Sequence, residues 1–196
     1  YEKGDPHTGD LQPATHCFIL ANVDTYGYLY RGAVRYGEGD HAIDAVLASG
    51  KYPEIPDTHA CNNLVGPGAV GFNAGHLWDV DNTDPFSVSR AMMQGRKIAD
   101  AYSRSLAEFF PEAFGNAYLA QTATLMGIRE TRRILGDYVL TLDDYLDRRT
   151  FPDDICRNAY FIDVHHTSEQ REKVNDPAWM AKRTLHYGAG ESHGIP

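Results

Sequence analysis

The run from Ala117 to Thr141, AYLAQTATLMGIRETRRILGDYVLT, decides how the rest of the chain is read. An apolar, Thr-rich segment with the character of a strand leads into Gly127-Ile128. Three arginines and a glutamate then fall within five residues: Arg129, Glu130, Arg132 and Arg133. If the strand continues, side chains alternate between faces, so Arg129, Thr131 and Arg133 point one way and Glu130 and Arg132 the other. One cationic row then faces a cleft while Glu130 pairs with Arg132 behind it. The arginine fork is permanently charged and grips carboxylates at two points, which suits both tasks. A solvated edge strand, charged to discourage sheet-to-sheet association, explains the same spacing. Gly136-Asp137 reads as a tight turn and Tyr138-Val139-Leu140 as the returning strand of a hairpin.

Gly127-Ile128-Arg129-Glu130-Thr131-Arg132-Arg133-Ile134-Leu135-Gly136, followed by Asp137-Tyr138-Val139-Leu140-Thr141, resembles the signature of the FAD-dependent oxidoreductase family. Further matches follow in the family's order: Gly95-Arg96 before the signature, Phe151-Pro152-Asp153-Asp154-Ile155 after it, then Ile162-Asp163-Val164-His165, and last Gly194-Ile195-Pro196. The likeness runs from about Leu11 to Pro196. It implies a flavoenzyme acting on a small organic substrate by hydride transfer. The sequence offers no Gly-x-Gly-x-x-Gly between a strand and a helix, the spacing that cradles a dinucleotide's diphosphate. The resemblance therefore implies the substrate-side domain, with the FAD-binding domain expected before Tyr1 and after Pro196 in the same polypeptide. On that expectation the chain alone binds FAD weakly or not at all.

Composition bounds the remaining possibilities. At 196 residues, 42% hydrophobic and 23% charged, the chain has ordinary globular character with a core of its own. A net charge of −9 disfavours generic affinity for nucleic acid or anionic membranes, the arginine cluster being a local exception. No stretch approaches the roughly 20 apolar residues of a membrane span. Cys17, Cys61 and Cys156 are odd in number and widely spaced, so they indicate neither a disulfide framework nor a thiolate metal site.

Residues 1–13 read as an arm or linker, 14–168 as the substrate-side domain, and 169–196 as an exposed tail returning toward the FAD-binding domain. Thr15 to Val23 has the length of a buried strand, with His16 as a hydrogen-bonded strand-end residue. The Tyr- and Gly-rich stretch from Thr25 to Ala69 suits specificity loops, with a short helix capped by Asp40 and stopped by Gly50. Val70 to Val80 predicts a second strand, with Gly71 and Gly75 as bulge or close-approach points and His76 and Trp78 on one face. His76 is either a wall of the substrate site or a polar neighbour in aromatic packing. Asp84 caps a helix with Pro85 at its first position. Val88, Met92, Gly95, Ala99, Tyr102, Leu106 and Phe109 recur along it at three- and four-residue spacing, and Pro111 ends it. Gly95 on that apolar face predicts close approach of another backbone. Thr141-Leu142-Asp143-Asp144 has the form of a capping box for a helix through Arg149.

The fold expected is α+β, a mixed and mostly antiparallel sheet covered on one side by the long amphipathic helix. Its strands lie around Phe18, Phe72, Leu125, Val139 and Ile162, and its uncovered face looks toward the flavin. Ala159 to His165 alternates as a strand, which sets Asp163 beside His165, so the carboxylate orients the imidazole and raises its pKa. A flavin taking hydride from a C–H bond needs a group to handle the departing proton and cations to hold an anionic substrate. His165 with Asp163 is the candidate acid/base; Arg129, Arg132, Arg133, Glu130 and His76 are the candidate substrate contacts. Two other classes stay open: a non-catalytic ligand-binding module, and a metal-dependent hydrolase drawing on the nine histidines, though no H-E-x-x-H spacing occurs.

Overall fold

The computed structural model describes residues 1–4, 9–31, 43–130, 132–161 and 187–196. Backbone contacts divide the chain into two units, residues 1–12 with 132–196, and residues 13–131. The first unit begins with β1 (Glu2–Lys3).

The 13–131 unit follows in chain order. β2 (Ala14–Thr15) and β3 (Phe18–Ala21) occupy the buried stretch expected there. α1 (Thr25–Tyr30) is capped by Asp24, whose carboxylate accepts from the Gly27 N–H at 2.7 Å. α2 (Asp44–Ser49) starts without a side-chain cap and stops at Gly50, whose φ of 65° is the left-handed conformation glycine adopts freely. Asp40, the expected cap, lies outside the described residues. β4 (Ala60–Gly66) and β5 (Ala69–Ala74) form a hairpin across Pro67-Gly68, and β6 (His76–Leu77) pairs with β2. α3 (Pro85–Phe109) is the long helix, entered through the Asp84 side chain, which accepts from the Phe86 N–H at 2.9 Å. α4 (Pro111–Phe114) and β7 (Tyr118–Thr122) complete the unit.

The main sheet has the order β4-β5-β3-β7 and is antiparallel throughout. Strand alternation sends Phe18, Leu20, Val70, Phe72 and Ala74 inward. There Phe18 stacks on Phe72 at 4.9 Å and meets Tyr102 of α3 at 5.6 Å. α3 contributes Ala91, Gly95, Ile98, Ala99, Tyr102 and Leu106 to the same core. Each large side chain so buried stabilises the unit by about 1.5–3 kcal/mol. Gly95 does permit close approach, but to a side chain: a Cβ there would lie 2.4 Å from the His16 Cβ. His16 is buried and hydrogen-bonds through Nε2 to the Ala123 carbonyl at 2.8 Å.

Back in the first unit, β8 (Arg132–Arg133) pairs antiparallel with β1, setting Glu2 opposite Arg133 and Lys3 opposite Arg132. The expected hairpin with Tyr138-Val139-Leu140 does not form. Cross-strand pairing of opposite charges favours Glu2 as the partner of Arg133, and Tyr138 is taken by α5 (Leu142–Leu146), donating its hydroxyl proton to Asp144 at 2.7 Å. The capping box is present, Thr141 and Asp144 each bonding the other's backbone N–H. β9 (Cys156–Asn158) pairs with β10 (His193–Ile195). The strand expected over 159–165 ends its described part early. Asn158 Oδ1 accepts from the Tyr160 N–H at 2.9 Å, an Asx turn that takes the backbone off the ladder. Leu125 likewise falls after β7, and Ile162 lies outside the described residues. The segment around β4 takes a place in the sheet that the sequence reading gave to Val139. Among the described residues no helix is long and apolar enough to cross a membrane.

Candidate functional site

The face of the sheet turned away from α3 is concave. Alternation brings Cys61, Asn63 and Val65 of β4, Gly71 and Asn73 of β5, Cys17 and Ile19 at β3, and Gln121 at β7 to this side. They surround a hollow of about 500 Å³. Gly71 makes the depression, because a Cβ there would stand 2.8 Å from Cγ1 of Val65. The lining contains no Asp, Glu, Lys or Arg. Its polar side chains are carboxamides, which both donate and accept, two thiols and the Thr122 hydroxyl. Asn63 and Gln121 take no side-chain partner among the described residues, and Cys17 Sγ makes only a long 4.0 Å contact with Asn73 Oδ1. Cys61 and Cys17 flank Asn73 on the two neighbouring strands, so about two strand spacings, roughly 10 Å, separate their backbones. A disulfide needs less than about 7 Å. Cys17 and Cys61 are therefore not joined to each other and line the hollow as thiols.

Beyond the thiol end, the ladder continues one step, with the Gly75 N–H donating to the His59 carbonyl at 2.9 Å. His76 Nδ1 lies 2.6 Å from Asp57 Oδ2, and Asp57 Oδ1 accepts from the His59 N–H at 3.1 Å. The His59 and His76 rings stack at 4.2 Å, and Trp78 meets His76 edge-on at 5.6 Å. His76 and Trp78 thus keep company as expected. Their Nε2 and Nε1 atoms are sealed from solvent, which suits aromatic packing more than direct contact with a ligand. The α3 side of this cluster is held by Tyr102, whose hydroxyl donates to the His59 carbonyl at 3.1 Å and whose pKa is raised, mainly by burial.

The signature residues fall in both units. Arg129 and Glu130 are half-buried in the 13–131 unit, just after Gly127 bridges to Thr15. Thr131 lies outside the described residues. Arg132 and Arg133 are exposed in the other unit, where Arg132 covers the Tyr1 ring at 5.7 Å and the Arg133 guanidinium donates to the Gly4 carbonyl. Arg96 is a solvated helix residue reaching the Met92 carbonyl at 3.3 Å. Asp163 and His165 lie outside the described residues. The pair that the described residues do show, Asp57 with His76, joins positions 19 residues apart. Only the Asp57-x-His59 spacing, the same as that of Asp163 and His165, hints at it in the sequence.

Gly66-Pro67-Gly68-Ala69-Val70-Gly71 spells the glycine spacing of a dinucleotide loop. It forms the β4–β5 hairpin and opens no helix, so it offers no helix N-terminus to a diphosphate. The uncharged, amide-edged hollow, by contrast, fits a flat ring bearing carbonyl and N–H groups. Among the described residues, no group of three or more His, Cys, Asp or Glu side chains is placed to hold a metal ion.

Fold and site together define an α+β domain with one sheet face closed by a helix and the other open as an uncharged binding face. The chain belongs to the FAD dependent oxidoreductase family, whose model matches residues 1–196. No curated protein and no solved structure matches it.

Proposed function

We propose that this chain is the substrate-side domain of an FAD-dependent oxidoreductase, and that the open sheet face of the 13–131 unit is where flavin ring and substrate meet. The observation that carries this reading is the hollow itself, uncharged and edged by Asn63, Asn73 and Gln121. Bound FAD supplies the hydride acceptor. The chain's own share is to hold and orient a small organic substrate. The carboxamides fix its polar groups, and Ile19 and Val65 give the hollow apolar walls. Arg129 and Glu130, half-buried in the same unit, are assigned to polar or anionic groups of the substrate on the family signature; Arg132 and Arg133, exposed in the other unit, keep that assignment on the sequence pattern alone. His76, fixed by Asp57 and packed between His59 and Trp78, is a positioning residue that holds the thiol end of the sheet. Proton transfer is assigned to His165 with Asp163, on the sequence pattern alone.

The test uses the natural polypeptide with whatever sequence flanks this segment in its gene. Purified with FAD, it should lose its flavin absorbance when mixed anaerobically with a panel of small hydroxy, amino and carboxylic compounds. Asn73→Asp, which places a carboxylate among the thiols, should slow that bleaching at least about tenfold, the cost of one unpaired buried polar group, while the flavin stays bound. A polypeptide that holds no flavin, or bleaching indifferent to Asn73→Asp, would refute the assignment.

A further inference from the structure

The other unit carries a second hollow, of about 410 Å³, lined by Leu140, Thr141, Leu142, Tyr145, Asn158, Tyr160, Phe161 and His193. Three of these walls are aromatic, and none of the eight residues is Asp, Glu, Lys or Arg. His193 is only 6% exposed, yet it is part of the lining. Its Nδ1 is held by the Tyr187 hydroxyl. Nε2 takes no partner among the described residues, and because it is not sealed from solvent, the hollow is what it faces.

The proton positions follow from what surrounds Tyr187. Its hydroxyl also lies 3.3 Å from the Tyr145 carbonyl, but that carbonyl already accepts from the Arg148 backbone N–H and from Arg148 Nη1. A carbonyl oxygen has two lone pairs. The Tyr187 proton therefore goes to His193 Nδ1, and the ring's remaining proton sits on Nε2. Burial raises the Tyr187 pKa, which keeps that hydroxyl protonated. Arg148 spreads over the Tyr187 ring at 4.2 Å and is itself tied to Glu191 at 2.9 Å, so the arrangement has a charged and paired backing.

Asn158 stands directly opposite His193 across the β9–β10 pair, and residues paired this way project to the same face. Its Oδ1 is occupied by the Tyr160 N–H, which leaves its amide N–H groups without a partner among the described residues. Two neighbouring donors, His193 Nε2–H and Asn158 Nδ2–H, thus border one small aromatic chamber. The guest that answers them is an oxygen with two lone pairs on a flat ring. An anion would lose its hydration to a lining with no cation, which is costly.

We propose that this hollow is a second small-molecule site, which takes a neutral, single-ring aromatic carbonyl compound whose oxygen is shared by His193 and Asn158. It lies within the 1–12 and 132–196 unit and stands independently of the role proposed for the sheet face of the other unit. Acetophenone is the probe, set against ethylbenzene, which lacks the oxygen, and cyclohexyl methyl ketone, which lacks the flat ring. In calorimetric or ligand-observed NMR titrations of the purified chain, acetophenone should bind saturably and each comparison compound about tenfold more weakly, as expected for loss of one hydrogen bond or of the aromatic walls. His193→Phe keeps the ring's bulk, and it should weaken acetophenone about tenfold and erase its advantage over ethylbenzene. Absence of saturable binding to the unmodified chain would overturn the proposal. So would ethylbenzene binding as tightly as acetophenone, a result that needs no variant to fold.

Discussion

Replacing Gly95 by alanine probes the contact on which the sheet and its covering helix depend. On an exposed helix the change would stabilise by about 1 kcal/mol, since alanine is the better helix former. Here the added Cβ would meet His16 at 2.4 Å from Cβ, 2.7 Å from Nδ1 and 2.8 Å from Cγ. Ordinary contacts need about 1 Å more. His16 has no room to retreat, being 2% exposed and tied through Nε2 to the Ala123 carbonyl. Overpacking of this kind costs about 1–3 kcal/mol, and losing the His16 bond would add about 1–3 kcal/mol for the buried groups left unpaired. Set against the helix-propensity gain, the net expectation is a destabilisation of about 1–5 kcal/mol. For a chain of this size that lowers the melting temperature by about 2–4 °C per kcal/mol. Urea denaturation followed by far-UV circular dichroism measures it. A His16→Gly background supplies the decisive comparison, because removing the imidazole together with its Cβ should make Gly95→Ala neutral or stabilising. A stabilised single variant, or equal effects in both backgrounds, would refute the seating of α3 on His16.

Two further outcomes are expected. Gly71→Val should fill the larger hollow and abolish turnover in the flavin-bearing polypeptide. The exposed Val65 can swing aside to spare the fold, so near-wild-type activity in a variant of unchanged melting temperature would count against that hollow as the site. Asp144 is held well below the usual carboxylate range, first by the Thr141 backbone N–H and then by the Tyr138 hydroxyl, with Arg149 adding to both. A depressed folded-state pKa gives stability that is complete above the unfolded value of about 3.9 and is lost as the pH falls through the lower folded value. Asp144→Asn should therefore lower the urea midpoint at neutral pH, and its deficit should shrink toward pH 3 or below. A deficit that does not change with pH would contradict the ionised network.

What the sequence disclosed was local. Asp84-Pro85 and the three- and four-residue spacing mark α3, Gly50 stops α2, and Thr141-x-x-Asp144 announces its capping box, because each depends on neighbours within a few residues. The arginine strand was misread as half of a hairpin because its partner, Glu2–Lys3, lies at the far end of the chain, where periodicity has no reach. β4 was hidden for a different reason. Asn62 and Asn63 are poor strand formers, and Asn62 is tolerated only because the Tyr28 hydroxyl and the Ala60 carbonyl satisfy its amide. The hollow is still less legible, since Cys17, Cys61, Gly71 and Gln121 become neighbours only through the order β4-β5-β3-β7. The family signature pointed to the chemistry through the residues that it matches, not through the surface on which that chemistry is placed.

The most direct measurement is thiol footprinting of the natural flavin-bearing polypeptide, read by mass spectrometry at each cysteine. Cys17 and Cys61 line the hollow and are half-buried, whereas Cys156 is exposed in the other unit. With FAD and substrate analogue bound, alkylation of Cys17 and Cys61 should slow severalfold while Cys156 reacts at its former rate. Equal rates at Cys17 and Cys61 with and without the bound molecules would contradict the placement of the reaction on this sheet face.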